Sequence, residues 1–417
     1  MAQDTRIPQV KVNDRAMARL RGGHVWVYAS DVVDEPKAEP GTLVHVIGPK
    51  DKPLGSALYS SSSQIKLRLL CREQLASEDD LMNLARRRLA EAVEFRSQVV
   101  SGADAYRLAF SEADRLPGLI VDRYNDVYTI QILTQAWDRP SRKEAIVSRL
   151  RDLTGAENIV ERVDERIREL EQLPQLAPHA LCGSKTATVF TLNRASPGAA
   201  KEGTAGVGES GVQFHYDALS GQKTGAFLDQ RENYAAAARY ARGEALDVCT
   251  YQGGFALHLA RVCAKVTALD SSREALEMAE QNEKLNSAAG RPEVEWIEAN
   301  AFDLLKDYAA AGKQYDIIVL DPPAFAKSKR NLPAAMRGYK ELNLRALRML
   351  RPGGILVTCS CSFAVSEEEF LLMLTGAVQD THRAARILER RGQSQDHPSL
   401  LGVPETSYLK CIIASIV

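Results

Sequence analysis

The chain has 417 residues, 45% hydrophobic and 26% charged, with a formal net charge of −1. That length supports two or three domains, and a charge so near zero carries no nucleic-acid signal, so any basic surface must be local. No apolar run is long enough to span a membrane, the opening MAQDTRIPQVKV lacks a signal-peptide core, and the seven cysteines have neither framework nor zinc-knuckle spacing, which argues for a cytoplasmic protein without membrane partner, disulfides or metal.

Residues 1–73 read as a small β-rich unit. HVWVYASDVV, TLVHVIGP, PLGSALYS and QIKLRLL are β-prone runs separated by Gly22-Gly23, Pro40-Gly41, Gly48-Pro49 and a serine run. Arg15, Arg19, Arg21, Lys50, Lys52, Lys66 and Arg68 give it a slight positive excess. Such a surface can track a phosphate backbone; solvated surface charge is the other reading. EDDLMNLARRRLAEAVEFRSQVV has apolar residues at helical spacing and forms a connecting helix. YRLAF, LPGLIVDRY and VYTIQIL, a helix over 139–153, and NIVERVD then suggest an α+β unit spanning 74–200. The Gly-, Ser- and Ala-rich stretch within 183–211 is a loop or hairpin tip and marks the boundary.

From 201 to 417 strands and helices alternate, which implies a mostly parallel, doubly wound α/β sheet. Three strand ends carry chemistry. The first βα junction, LDVCTYQGGF (246–255), has two glycines that let backbone approach a ligand and open a helix whose amides favour a polar group. The next strand ends at Asp270, where a carboxylate can accept both hydroxyls of a ribose. Without a GxGxxG pattern, adenosine bearing an amino-acid tail fits better than a dinucleotide. The strand YDIIVLD ends in Asp321-Pro322-Pro323-Ala324-Phe325, a rigid loop holding a carboxylate, with Phe325 available to stack on a base. Finally ILVTCSCSF (355–363) ends a buried strand in a thiol-bearing turn, and strand C-termini are where ligands bind in open α/β sheets. Alternation puts Cys359 and Cys361 on one face, so spacing cannot choose between them.

Two further stretches bear on a site. Lys327, Lys329, Arg330, Arg337, Lys340, Arg345, Arg348 and Arg351 face only Glu341 in charge, the pattern of a phosphate-backbone groove. GQKTGAFLDQR (221–231) packs amide, cationic and acidic groups between glycines; Gln222, Lys223 and Thr224 are candidates for holding a cofactor.

On GQKTGAFLDQR, LDVCTYQGGF, LDPPAFAKSK, CSCSF and EADRLPGLIVDRY, the chain resembles the 23S rRNA cytosine-5 methyltransferases of the large-subunit methyltransferase I type, nearly end to end. The resemblance implies an N-terminal PUA RNA-binding domain, a central α+β domain and a Rossmann-like, class I S-adenosylmethionine-dependent methyltransferase domain, with 23S rRNA as partner and a homodimer. By motif, Asp247, Cys249, Tyr251 and Gly253 would line the cofactor, Asp270 would hold its ribose, Asp321 would sit at the base and Cys361 would be the nucleophile. Asn300 stands where the family usually has an Asp near the adenine, and Cys359 is an extra thiol.

The chemistry suits those residues. C5 of cytosine is a poor nucleophile until a thiolate adds to C6, and cysteine both attacks and leaves readily. The base must leave its stack, so an unpaired RNA site is expected. Two rivals remain. An exocyclic-amine methyltransferase would use the Asp-Pro-Pro-Ala-Phe loop and need no thiol. A non-catalytic RNA-binding or ribosome-assembly protein would not need acidic groups at 247, 270 and 321.

Overall fold

The computed structural model describes residues 6–34, 37–194, 211–219, 227–287, 291–326 and 328–417. The N-terminal unit comprises β1 (Gln9–Lys11), α1 (Asp14–Arg21), β2 (Trp26–Tyr28), β3 (Leu43–Gly48), β4 (Lys52–Tyr59) and β5 (Ile65–Cys71), in one sheet of order β1-β3-β4-β5-β2. Val44, Val46, Leu67 and Leu69 form its core with Ala16 and Leu20 of α1. The apolar pattern does not announce α1, because its eight residues bury only those two side chains. Its ends are nevertheless well specified: Asn13 accepts from the Ala16 amide, and Arg19 and Arg21 occupy the last turn. Arg15 and Arg19 both pair with buried Asp31 at 2.5 Å, so part of the expected basic surface is neutralised.

The linking helix α2 (Glu78–Val99) is capped by Ser77. It packs on a second sheet made by β6 (Ala105–Phe110), β7 (Leu119–Tyr124), β8 (Val127–Ile132), β9 (Asn158–Arg162) and β10 (His179–Cys182). Helices α3 (Pro140–Thr154) and α4 (Glu165–Leu170) flank β9 in sequence. Then β11 (Ala187–Leu192) and β12 (Val212–Asp217) pair antiparallel as a ribbon. A division at 200 and 201 therefore falls between two paired strands.

The remaining elements are α5 (Arg231–Tyr240), β13 (Glu244–Val248), α6 (Gly254–Leu259), β14 (Lys265–Asp270), α7 (Arg273–Asn286), β15 (Val294–Glu298), α8 (Ala301–Ala310), β16 (Tyr315–Leu320), α9 (Leu332–Met349), β17 (Leu350–Ser360), α10 (Glu367–Asp380), β18 (Ala385–Arg391) and β19 (Lys410–Ile416). They form a seven-stranded sheet of order β15-β14-β13-β16-β17-β19-β18. The first five strands are parallel, and β19 runs antiparallel between β17 and β18. Side chains alternate across it: Ile317 and Val319 enter one core, Ile318 and Leu320 the other. Strands buried on both faces read as near-continuous apolar runs, which is why the central strands stand out in the sequence, while edge strands β15 and β18 are partly exposed. Strand order reverses beside β13, and the crevice at the C-terminal ends of β13 and β16 is where such sheets bind ligands.

Asp396 ties the last unit to the middle one. It is fully buried; Oδ1 accepts from Arg231 Nη2 at 2.8 Å, Oδ2 from the Arg107 amide at 2.8 Å, and its carbonyl from Arg96 Nη2 at 2.8 Å. Among the described residues no helix is long and apolar enough to cross a membrane.

Candidate active site

A cavity of about 510 Å³ opens at that crevice. Its first wall is the turn after β13. Cys249 and Tyr251 take left-handed backbone (φ 64° and 52°), a conformation few non-glycine residues hold without a purpose. Thr250 donates its amide to the Leu269 carbonyl at 2.9 Å, pinning the turn to β14. Cys249 and Tyr251 line the cavity; Gly253 does not, but its φ of 86° and the 2.9 Å from its would-be Cβ to the Trp296 ring require glycine. A Cβ on Gly254 would meet Tyr234 at 2.5 Å.

Asp247 lies behind this turn rather than on the cavity surface. Its Oδ2 accepts from Thr250 Oγ1 at 2.6 Å and the Ala256 amide at 2.9 Å, whereas Oδ1 is buried without a partner among the described residues. Burial pushes the carboxyl up to about 7 against those two bonds. The helix that follows, α6, has six residues, and Asp247 already holds its Ala256 amide, so that amide is not open to a ligand. Asp270 ends β14 at the cavity, accepting from the Tyr251 and Ser272 amides at 2.9 Å each. Each of its oxygens keeps a lone pair for a hydroxyl. Asn300 is not part of the lining: its side-chain oxygen caps α8, accepting from Phe302 N at 2.9 Å.

Asp321, just past β16, forms the opposite wall. Gln230 Nε2 donates to its Oδ1 at 3.0 Å. Burial first, then Asp229 and Asp247, push this carboxyl up to about 8, which favours its protonated form. Pro322, Pro323 and Ala324 continue the wall, but Phe325 turns away. Its ring packs 4.7 Å from Tyr339 and 6.0 Å from Phe302, inside the layer of α8 and α9. The expected stacking of Phe325 on a base is therefore not what the fold provides.

The structure separates the two cysteines. Strand β17 ends at Ser360, so alternation ends there too. Cys359 is fully buried opposite Cys411 on β19, and contact with Cys411, then burial, push its thiol well up. Cys361 lies in the turn beyond and lines the cavity with Asp321. Behind it, Ser360 Oγ donates to Tyr339 Oη at 3.0 Å, Tyr339 Oη and Ser362 Oγ lie 2.9 Å apart, and Ser362 Oγ accepts from the Ala326 amide at 3.1 Å. These hydroxyls join the thiol turn to the Asp-Pro-Pro loop. Tyr408, on the same cavity, donates to Asp229 Oδ2 at 2.6 Å, and Lys410 donates to the Ser362 carbonyl at 2.7 Å. Asp229 falls in the GQKTGAFLDQR stretch, but Tyr408 and Lys410 are not singled out by any motif in the sequence. A lysine inside the apolar run YLKCIIASIV was the available signal.

The basic run does not act as one surface. Lys340 pairs with Asp380 at 2.8 Å, Arg345 with Glu341, and Arg351 with Asp316 at 2.7 Å. Helix α9 is about 27 Å long at the usual rise, so it carries Lys340 and Arg345 away from the site, and Arg351 lies beyond it on β17. Lys329, Arg330 and Arg337 remain exposed, without carboxylate partners among the described residues. Gln222, Lys223, Thr224 and Lys327 lie outside the described residues. No cluster of His, Cys, Asp or Glu able to hold a metal occurs among the described residues.

Comparison with known proteins places this geometry in context. Residues 10–72 match a PUA-like domain, and residues 157–412 match the S-adenosylmethionine-dependent methyltransferase family. A protein named ribosomal RNA large subunit methyltransferase I from Klebsiella pneumoniae is 32% identical, over 98% of this chain and 98% of its own. Its counterpart from Aeromonas hydrophila is 34% identical, over 97% of each. Among solved structures, a candidate methyltransferase, SMU.776, complexed with SAH superposes with a TM-score of 0.79 at 17% identity, covering 98% of this chain and all of that one, a likeness of fold.

Proposed function

The chain belongs to the ribosomal RNA large subunit methyltransferase I family, S-adenosylmethionine-dependent methyltransferases with an N-terminal PUA-like domain, and from that premise we propose that it methylates C5 of a cytidine in 23S rRNA through a transient bond from Cys361 to C6. The observation that carries the reading is the common cavity: Asp270, Tyr251, Asp321 and Cys361 line one space.

The residues suit the cofactor. The volume falls in the range of small-molecule sites. Asp270 offers oxygens to a ribose, Tyr251 and Phe227 offer ring faces to an adenine, and the unpartnered Asp247 oxygen leaves a polar position behind the turn. Bound there, S-adenosylmethionine supplies an electrophilic methyl group.

The chain's own residues do the rest. Cys361, as thiolate, adds to C6 of the extruded base, and the electron pair moves toward N3. Asp321, carrying its proton, donates to N3 and holds the ring in plane. C5 is now enamine-like and takes the methyl. Loss of the C5 proton to a base then expels the Cys361 thiolate, and N3 returns its proton to Asp321, which restores the neutral aromatic ring. The buried hydroxyls of Ser360, Ser362 and Tyr339 hold the thiol turn against the Asp321 loop throughout.

An exocyclic-amine reaction is less well supported, because Phe325 packs against Tyr339 rather than facing the cavity. A binding module without catalysis would leave the raised Asp321 carboxyl without a use. Lys329, Arg330 and Arg337 are proposed to contact RNA phosphates, and Lys340 is withdrawn from that set by its pairing with Asp380. The homodimer and a cytoplasmic location belong to the same proposal. The test is mass mapping of 23S rRNA from cells with and without this protein. A 5-methylcytidine that disappears supports the reading; an N-methylated base that disappears instead overturns it.

A further inference from the structure

We infer that Lys410 is a positioning residue whose ammonium holds Cys361 as a thiolate and fixes the turn that presents it. The inference rests on the reading of Cys361 as nucleophile.

Lys410 opens β19 as the register partner of Ser360, the last residue of β17. It is 7% exposed, so its charge is largely out of water. Its Nζ donates to the Ser362 carbonyl at 2.7 Å and the Tyr408 carbonyl at 2.8 Å. Both acceptors are neutral, and no carboxylate lies within ion-pair distance of it among the described residues. A buried ammonium bound only to neutral carbonyls lacks the counter-charge that buried cations usually have. The ionisable group nearest in the chain to its Ser362 anchor is Cys361.

The other groups facing this corner are accounted for. From α10, Glu367 and Glu369 act on Lys410 more weakly than Cys361 does, and Glu369 is engaged in capping α10 through Ser366 at 2.8 Å. From α9, Tyr339 faces Cys361 and bonds to Ser360 and Ser362. Tyr408 faces it too, with its hydroxyl committed to Asp229. Burial pulls Lys410 down to about 8, and the negative groups, Cys361 foremost, work against that fall. A thiolate here therefore completes the charge balance that burial of the lysine leaves open. The thiol proton passes to water before substrate binds, the ammonium keeps its own three, and the same cation receives the thiolate when it is expelled from C6.

The test is the pH dependence of Cys361 alkylation by iodoacetamide, read by peptide mass spectrometry on the full chain. In the wild type the rate should rise with an apparent pKa below the ordinary thiol value of about 8.5. Lys410→Gln should move that midpoint up by about one unit, which is about tenfold slower alkylation well below the midpoint. Lys410→Arg, which keeps the charge, should restore most of it. Superposed wild-type and Lys410→Gln profiles in folded proteins would overturn the inference. If Lys410→Gln does not fold, a wild-type midpoint at or above the ordinary thiol value overturns it equally. Retained methylation by Cys361→Ala would instead sink the nucleophile reading, and the alkylation profile would still decide whether Lys410 acts on this sulfur.

Discussion

Gln230 holds one oxygen of Asp321 and thereby assigns the other. Its Nε2 donates to Oδ1 at 3.0 Å, while its own oxygen accepts from Asn233 Nδ2 at 2.7 Å, and Asn233 Oδ1 accepts from Arg391 Nε at 2.7 Å. The amide cannot flip without breaking both bonds. The proton carried by Asp321 therefore belongs on Oδ2.

Asp321→Asn tests that assignment. The folded-state value of about 8 lies above the roughly 3.9 of an unfolded chain, so the fold favours the protonated form. Its stabilising contribution is complete below about pH 4 and is lost as pH rises through about 8. The amide has no charge to bury. In thermal melts the ligand-free variant should lose less stability than wild type between about pH 5 and about pH 9, while turnover falls by about a hundredfold or more. Parallel melting curves across that range would remove the buried-proton argument.

The two cysteines should respond oppositely. Cys361→Ala is expected to reduce methylation of 23S rRNA to assay background with the fold intact. Cys359→Ala should keep turnover and cost about 1 kcal/mol of packing, because that thiol fills a core position against Cys411. Radiolabelled methyl transfer and denaturant melts on both variants decide this, and the reverse outcome exchanges the assignments.

Asp396→Ala should be costly without touching the cavity. Burial alone would raise this carboxyl, but His397 and Arg231 overcome it and hold the group well below the usual carboxylate range. Its folded value is depressed, so the stabilisation is present above about pH 4 and is lost as pH falls below it. Removing it takes from buried Arg231 its fully buried counter-charge, leaving only the partly exposed Glu232 at 3.1 Å, and releases the Arg107 amide, at a cost of about 3 kcal/mol. Chemical denaturation at neutral pH measures the loss. A change under about 1 kcal/mol would mean the network adds little.

Replacing Lys329, Arg330 and Arg337 by Ala together should weaken RNA binding and flatten its dependence on salt, by about 0.7–0.9 in the log–log slope for each phosphate no longer neutralised. Lys340→Ala, which only frees Asp380, should leave the slope unchanged. Filter binding of an rRNA fragment across a salt series compares them; equal slopes in all three proteins would return the cluster to plain surface charge.

The seven-stranded sheet was legible because its central strands are buried on both faces and punctuated by helices, so β13, β14, β16 and β17 read as apolar runs ending in Asp247, Asp270, Asp321 and the thiol turn. What stayed hidden depends on where regular geometry stops. Alternation could not separate Cys359 from Cys361, because the strand ends between them. The aromatic after Asp-Pro-Pro looked available for stacking, but α8 and α9 supply a closer apolar home for Phe325. Lys410 and Tyr408 meet the thiol turn only because β19 returns antiparallel beside β17, a pairing across some fifty residues that no local pattern encodes. The basic run looked continuous on paper because its carboxylate partners Asp316 and Asp380 sit on other elements.

The ribbon of β11 and β12 has a practical consequence. Phe190, Leu192 and Phe214 close one side of the cavity, and the first two come from a strand that precedes the glycine-rich stretch. An excised C-terminal fragment beginning at 211 would keep every acidic and thiol group yet present solvent where those rings should be. Such a fragment would be a reaction vessel missing a pane, and its inactivity would say nothing against the chemistry of the parts it retains.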